Sequence, residues 1–201
     1  MSKGNKGVIV EVPEDITMAE GNQGTPKKKY KEKRWNPTPE AVKMMGVKDG
    51  GIAIIGRPEH IQTLRNAQEA GVSRVVTLLR EPEGAKVIGE VVKELGMEWS
   101  HFPIEYFGTM QLQGVDRAKA AVSLVKEEVG AGSRVLIHCF EGVHRSGLIT
   151  LGAMLGLGIE PIDALYKLYK MRSISYQRLP LDVVMLAYEL NGKTFKWEEG
   201  V

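Results

Sequence analysis

The segment from His138 to Gly147 constrains the chain most, because it separates two apolar runs of different length. Val135 to Ile137 precedes it and Leu148 to Leu157 follows it. This order predicts a strand, a tight loop and a helix. The backbone N–H groups of residues 140 to 145 can then turn inward, backed by the unpaired N–H groups of a helix beginning near Ser146. Such a ring of donors suits a tetrahedral dianion.

Cys139 and Arg145 are the reactive side chains of this loop. A thiolate at the base of the ring would meet the phosphorus atom of a bound phosphate. The planar guanidinium of Arg145 can hold two phosphate oxygens. A nearby cation and a helix N-terminus lower a thiol pKa from about 8.5 to roughly 3.5–7.5, which favours the reactive thiolate. We therefore predict Cys139 as nucleophile and Arg145 as clamp.

The remaining loop residues receive supporting roles. A Ser146 hydroxyl can donate to the thiolate and stabilise it as a leaving group, and His138 can brace the loop through a backbone hydrogen bond. The predicted phosphate-binding residues besides Arg145 are Phe140, Glu141, Gly142, Val143 and His144.

From His138 to Ser146 the chain resembles the cysteine-dependent protein tyrosine phosphatase superfamily, whose signature is His-Cys, five residues, Arg, then Ser or Thr. The rest of the chain is most similar to the small dual-specificity branch. The pair His144-Arg145 resembles the corresponding part of the motif in atypical dual-specificity phosphatases of plants and fungi that act on inositol pyrophosphates. The residues Gly142-Val143, followed by Arg145-Ser146, resemble the motif of the RNA 5′-triphosphatase branch. The resemblance implies hydrolysis through a phosphocysteine, without a cofactor.

Two simpler interpretations of the same residues stand beside this one. A lone cysteine is usually a small buried apolar residue. A metal site using His138, Cys139 and His144 is the other, although the chain has no second cysteine and the motif supplies no closed set of four ligands.

Composition predicts one catalytic domain in a chain of 201 residues, 43% of them hydrophobic and 26% charged. One cysteine excludes an internal disulfide framework, and a thiol needed in reduced form fits a reducing compartment. No apolar run approaches the ~20 residues that span a bilayer. We therefore expect a cytoplasmic protein. The net charge of +2 implies no polyanionic partner for the molecule as a whole.

Residues 1–35 differ from the rest and are predicted to form a flexible basic extension, with the phosphatase domain at 36–201. The cluster Lys27 to Arg34 is either a solvated tail or a collector of RNA, polyphosphate or acidic phosphosubstrates, with Tyr30 and Trp35 available for stacking. Val8 to Val12 alternates as an edge strand would.

Strands and helices alternate from Asp49 onward. This order predicts an α/β fold with a central, mostly parallel sheet and helices on both faces. The predicted strands are Gly51 to Gly56, Val75 to Leu79, Met97 to Ile104 and the one before Cys139, and the helices between them start near Pro58, Val87 and Asp116. The Cys139 loop then lies at the carboxyl end of a central strand, before a buried helix. Two last helices are predicted at Pro161 to Met171 and Pro180 to Leu190.

The general acid is open in the sequence. In the resembling family an Asp serves from the loop after the strand that here ends at Ile104, but this loop has no Asp and Tyr106 stands at the usual place. Glu105 is the first candidate, Asp116 the second, and an enzyme without a dedicated acid the third. Asp116 also fits a helix N-cap. The resemblance further implies a water-positioning glutamine at the start of the last helix, for which Gln177 is the candidate, with Asp182 nearby.

Three functions follow as expectations. The first is a phosphatase for phosphotyrosine, and phosphoserine or phosphothreonine, in proteins. The second is a phosphatase for RNA 5′-ends or inositol polyphosphates, which the basic cluster and His144 favour and the charge of Glu141 opposes. The third is a phosphate-binding module without catalysis.

Overall fold

The computed structural model of the chain describes residues 40–105 and 112–193. The predicted edge strand Val8 to Val12, the basic cluster Lys27 to Arg34 and Tyr106 lie outside these residues. The predicted boundary between the extension (1–35) and the domain (36–201) also lies outside the described residues and stays a prediction.

A five-stranded sheet forms the centre of the described chain, in the order β1-β2-β5-β3-β4. The edge strand β1 pairs antiparallel with β2, and all other neighbours are parallel. The strands are β1 (Met45–Val47), β2 (Gly50–Ile55), β3 (Arg74–Thr77), β4 (Glu98–His101) and β5 (Arg134–His138). The predicted mostly parallel sheet is confirmed.

Helices cover both faces of the sheet, as predicted. They are α1 (Ile61–Glu69), α2 (Ala85–Glu94), α3 (Leu112–Gly130), α4 (His144–Gly156), α5 (Pro161–Met171), α6 (Ser173–Gln177) and α7 (Leu181–Glu189). Alternate residues of β2 face opposite layers, because side chains alternate along a strand. Ile52 and Ile54 pack in the core with α3, α4, α5 and α7, and Ala53 and Ile55 pack in the core with α1 and α2.

The central helix α4 is buried nearly all round, from Arg145 to Leu155. It follows β5, which lies between β2 and β3. The loop between β5 and α4 is therefore held at the carboxyl end of the middle strand, where the sequence predicted it.

Several local predictions were wrong. The strand β1 precedes Asp49, and α1 begins at Ile61, three residues after Pro58. The apolar period predicts Ile61 on the buried face of α1, but Ile61 is half exposed, because that face is formed by Thr63, Leu64 and Ala67. An apolar residue at a helix end can thus match the helical period and still point to solvent.

The later helices also differ from expectation. The helical period of α5 predicts Tyr166 on its buried face, but Tyr166 is half exposed, and the buried residues are Pro161, Ala164, Leu168 and Met171. The segment between α5 and α7 was predicted without secondary structure but contains the short helix α6. In the part of the chain that the structure describes, no helix is both long and apolar enough to cross a membrane.

Candidate active site

Cys139 follows β5 directly and is buried, with 3% of its surface exposed. The backbone N–H of Gly142 donates to its sulfur over 3.2 Å, and Ser146 Oγ lies 3.4 Å from the sulfur. The Gly142 N–H, and the Ser146 hydroxyl when it donates, can stabilise negative charge on the sulfur. We call residues 139–144 the Cys139 loop.

The carbonyl groups of the Cys139 loop point away from its centre. Phe140 O accepts from Arg57 N at 2.9 Å, Glu141 O from Arg172 Nη2 at 3.2 Å, and Gly142 O from Ser175 Oγ at 2.5 Å. In a trans peptide the N–H points opposite to the C=O. The N–H groups of residues 141 to 143 are thereby directed to the inner side of the loop, where that of Gly142 reaches the cysteine sulfur.

Gly142 is required by this turn. Its φ is +71°, in the left-handed region, and a Cβ built there would lie 2.5 Å from Ile55 O. Only glycine combines that backbone conformation with so close an approach to β2. The loop is therefore packed directly against the end of the neighbouring strand.

The helix α4 begins at His144, two residues earlier than predicted, with Val143 as N-cap. No side chain caps this end among the described residues. The first-turn N–H groups and the positive end of the helix dipole therefore remain directed at the loop, which favours a bound anion.

Arg145 is 5% exposed and is held at four points by three groups. Glu83 accepts from Nη1 at 2.9 Å and from Nη2 at 3.0 Å, while the carbonyls of Ile104 and Leu78 accept from Nη1 at 3.0 and 3.2 Å. Among the described residues, no oxygen accepts from Nε–H or from the second Nη2 hydrogen. That edge of the guanidinium is a two-donor fork for phosphate oxygens.

Glu83 lies in the 3-10 turn Glu81–Glu83 that follows β3, the neighbour of β5. Burial raises its pKa, but the hydrogen bonds with Arg145 and with the backbone of Arg80, together with the charges of both arginines, lower that pKa to about 2. Glu83 is thus ionised near neutral pH. Burial lowers the pKa of Arg145, but Glu83 and the nearby Cys139 sulfur outweigh it, so the guanidinium pKa is raised.

Sequence reasoning missed Glu83, Ser175 and Arg172. Glu83 had a usable signal, since a carboxylate just after a strand adjacent to the nucleophile strand must lie near the loop. No sequence signal pointed to Ser175 or Arg172, because their contact with the loop depends on how α5 and α6 pack against it.

His138 is fully buried at the end of β5. Its Nε2 lies 2.8 Å from Thr77 Oγ1, which accepts a hydrogen bond from Trp99 Nε1 at 2.8 Å. Burial lowers the pKa of His138 to about 3, helped by the charges of Arg145 and His101 and opposed by a hydrogen bond with the Cys139 backbone. A neutral His138 therefore ties the last residue of β5 to β3. Within the described residues no three His, Cys, Asp or Glu side chains form a group that could hold a metal ion.

The other predicted site residues lie farther out. Glu105 is exposed and follows Ile104, whose carbonyl accepts from Arg145, so the Glu105 backbone is adjacent to the Arg145 guanidinium. Asp116 is exposed and is the fifth residue of α3, so its interpretation as an N-cap is wrong. Gln177 is exposed at the end of α6, four residues before α7, and not at the start of the last helix.

Two loop residues predicted to bind phosphate face solvent with their side chains. Phe140 is half exposed, with the guanidinium of Arg57 4.9 Å from its ring centre, and Glu141 is exposed. Val143 is buried. Phe140, Glu141 and Val143 can therefore contact an anion in the loop only through their backbone groups.

Solved phosphatase structures share this fold. Kinase-associated phosphatase, with a serine in place of its catalytic-site cysteine, superposes with a TM-score of 0.62 at 18% identity, over 78% of this chain and 97% of that one. PTPMT1 gives 0.58 at 16% identity, over 74% and 94%. The core catalytic domain of the PP-IP phosphatase SIW14 from S. cerevisiae gives 0.51 at 15% identity, over 74% and 84%.

No protein-family model matches the sequence, and no curated protein is similar to it in sequence. The structural similarity therefore defines the fold, which is the α/β fold of phosphatases related to the protein tyrosine phosphatases. This agrees with the resemblance carried by His138 to Ser146.

Proposed function

We propose that this protein is a phosphatase that hydrolyses phosphomonoesters of proteins, phosphotyrosine first, through a phosphocysteine intermediate. The observation that carries the proposal is the position of the Cys139 sulfur. It lies inside a loop whose N–H groups point inward, next to an arginine held by an ionised glutamate. Thiolate, donors and cation are the three parts that transfer of a phosphoryl dianion requires.

In the first step Cys139 Sγ attacks phosphorus, the S–P bond forms, and the bond from phosphorus to the leaving oxygen breaks. The inward N–H groups and the free edge of Arg145 bind the equatorial oxygens, where preorganised donors contribute most. The leaving oxygen takes a proton from a general acid, for which Glu105 is the first candidate and Asp116 the second. An enzyme without an acid would act mainly on phenolic esters.

In the second step water attacks the phosphocysteine. The S–P bond breaks, inorganic phosphate leaves, and the proton of water passes to the carboxylate that served as acid. Ser146 Oγ, 3.4 Å from the sulfur, donates to the departing thiolate. Glu83 keeps the Arg145 fork in place throughout, because it occupies the opposite edge of the guanidinium.

A second candidate is a phosphatase for inositol polyphosphates or other small polyphosphorylated molecules. The PP-IP phosphatase SIW14 shares the fold, and so does PTPMT1 crystallised with PI(5)P. The related RNA 5′-triphosphatase activity rests on Lys27 to Arg34 and the loop sequence alone.

Substrate turnover under metal chelation tests these functions together. The substrates are an aryl phosphate, a phosphotyrosine peptide, a phosphoserine peptide, an inositol polyphosphate and a 5′-triphosphate RNA. We expect chelator-insensitive hydrolysis of the first two, abolished by Cys139→Ser, with vanadate binding retained because the anion cradle is intact. Residual hydrolysis by Cys139→Ser would refute the nucleophile. Binding without any turnover would establish the silent phosphate-binding module.

A further inference from the structure

A basic cleft lies beside the Cys139 loop. It encloses about 410 Å³ and is lined by Lys43, Tyr169, Lys170, Met171, Arg172 and Ser173. The volume falls within the range of ligand sites in proteins. None of these lining residues belongs to the Cys139 loop, so the cleft and the loop are separate depressions.

Arg172 joins the two depressions. Its Nη2 donates to Glu141 O in the loop, and its Nη1 forms an ion pair with Glu40. Glu40 also accepts a hydrogen bond from Gly56 N, at the end of β2. The charge of Arg172 is therefore largely balanced, and its position relative to the loop is fixed.

Lys43 and Lys170 supply the uncompensated charge. Neither forms an ion pair with a carboxylate in the described parts of the chain, and both are exposed. The Lys170 ammonium lies 5.1 Å from the ring centre of Tyr166 and 6.0 Å from that of Tyr169. These aromatic faces hold the cation at the cleft without neutralising it.

We infer that the basic cleft binds a second phosphate group of the substrate whose first phosphate lies in the Cys139 loop. Two free ammonium groups with the Ser173 hydroxyl and the Tyr169 phenol are donors suited to a phosphate. A substrate held in the loop presents its second phosphate to the cleft at high effective concentration. The inference rests on the proposed phosphatase function and assigns it multiply phosphorylated substrates.

Equilibrium binding to the full chain carrying Cys139→Ser tests the cleft without turnover. One ligand pair is a phosphotyrosine peptide and the same peptide with a phosphoserine two or three residues away. The other pair is an inositol monophosphate and an inositol bisphosphate. The quantity compared is the affinity ratio of the doubly to the singly phosphorylated ligand. We expect Lys43→Gln with Lys170→Gln to lower this ratio roughly three- to tenfold, the range for two exposed charge pairs.

Lys48→Gln is the matched control. Lys48 is exposed and lies between β1 and β2, at the amino end of the sheet and therefore opposite the loop. The Lys48→Gln substitution removes one positive charge outside the cleft. The affinity ratio of this variant should therefore equal that of the parent chain carrying Cys139→Ser alone. The single variants Lys43→Gln and Lys170→Gln are measured as well, because each has the same net charge as Lys48→Gln.

The outcomes separate the cleft from the chemistry. A ratio near one in the parent for both ligand pairs, or the same ratio in the lysine variants and in Lys48→Gln, overturns the inference. A lysine-dependent ratio for one pair supports it and identifies the carrier of the second phosphate. If the wild-type chain hydrolyses none of the four ligands while the ratio persists, the phosphatase proposal fails and the second phosphate site stands.

Discussion

The Cys139 loop is fixed on every side, whereas the segment that carries the first candidate acid is exposed. Donors from the segment after β2 and from the start of α6 hold the loop carbonyls, and Glu83 holds Arg145. Glu105 is exposed and stands at the edge of the described residues. In the proposed enzyme, phosphate recognition is thus built into the core, where errors in geometry are costly, and proton transfer is assigned to an exposed segment.

This difference has a physical reason. The charge of the phosphate is the same in every substrate, so its cradle can be rigid and buried, which strengthens its electrostatic effect. The leaving group varies in size and acidity. A general acid on an exposed segment can approach leaving groups of different size.

The largest effect on the fixed side is expected for Arg145→Lys. Lysine presents a point charge and cannot bind Glu83 on one edge and two phosphate oxygens on the other. We expect kcat/KM for an aryl phosphate to fall by several powers of ten, with the melting temperature measured in parallel. Nearly normal kinetics would mean that Arg145 is not the clamp.

Gly142→Ala tests the rigidity of the loop itself. The added Cβ would lie 2.5 Å from Ile55 O at a φ of +71°, so the loop must shift. We expect a loss of activity of about 100-fold or more and a stability loss of roughly 2–4 kcal/mol.

Gly158→Ala is the control for that substitution. Gly158 has a φ of +77° but nothing within 4 Å of its Cβ position, so the variant carries only the conformational cost of about 1 kcal/mol. Equal stability losses for the two variants would show that contact with β2 does not hold the loop.

Glu83→Gln should lower kcat by about 10- to 100-fold, because the amide keeps one hydrogen bond to Arg145 but loses the charge that orients it. The pKa of Glu83 in the fold is about 2, below the ordinary value of 4.5. Its ionised form therefore stabilises the protein above about pH 4.5, and this contribution is lost as the pH falls toward 2.

Acid unfolding followed by circular dichroism checks the pH dependence. The wild-type chain should lose more stability than Glu83→Gln between about pH 5 and pH 2. If stability falls equally with pH in the two proteins, the ionised Glu83 does not stabilise the position of Arg145.

On the exposed side, Glu105→Gln should lower kcat and remove the alkaline limb of the pH–rate profile, since that limb reports loss of the acid proton. Asp116→Asn should leave stability nearly unchanged, because Asp116 is exposed within α3 and caps no helix. A full bell-shaped profile in the Glu105 variant would move the assignment to Asp116 if its own profile loses that limb.

The smallest effect is expected from deleting residues 1–34. The described contacts of the domain begin at Glu40, so this truncation leaves them intact. If Lys27 to Arg34 collects polyanions, KM for RNA or acidic peptides should rise and its salt dependence should flatten, while hydrolysis of a small aryl phosphate is unaffected. An unchanged salt slope would make the cluster a solvated tail.

Local patterns were enough to predict most of the fold. Short apolar runs that alternate with segments of helical period predicted the parallel strands and the covering helices. A strand buried on both faces must be apolar along its whole length, so it is visible in the sequence. They failed for β1 and α6, which are short and have only partly buried faces. The ends of α1 and α3 were misplaced, because propensity is weak at helix termini.

By itself the sequence determined the order strand, loop and helix, and with it the juxtaposition of Cys139, Gly142, Arg145 and Ser146. Those residues are close in the chain, so local backbone geometry brings them together. The tertiary structure alone decided that Glu83 holds Arg145 and that Arg172 joins the loop to a basic cleft. Residues 62 and 31 positions from their partners meet only through the packing of whole elements, which no local pattern records.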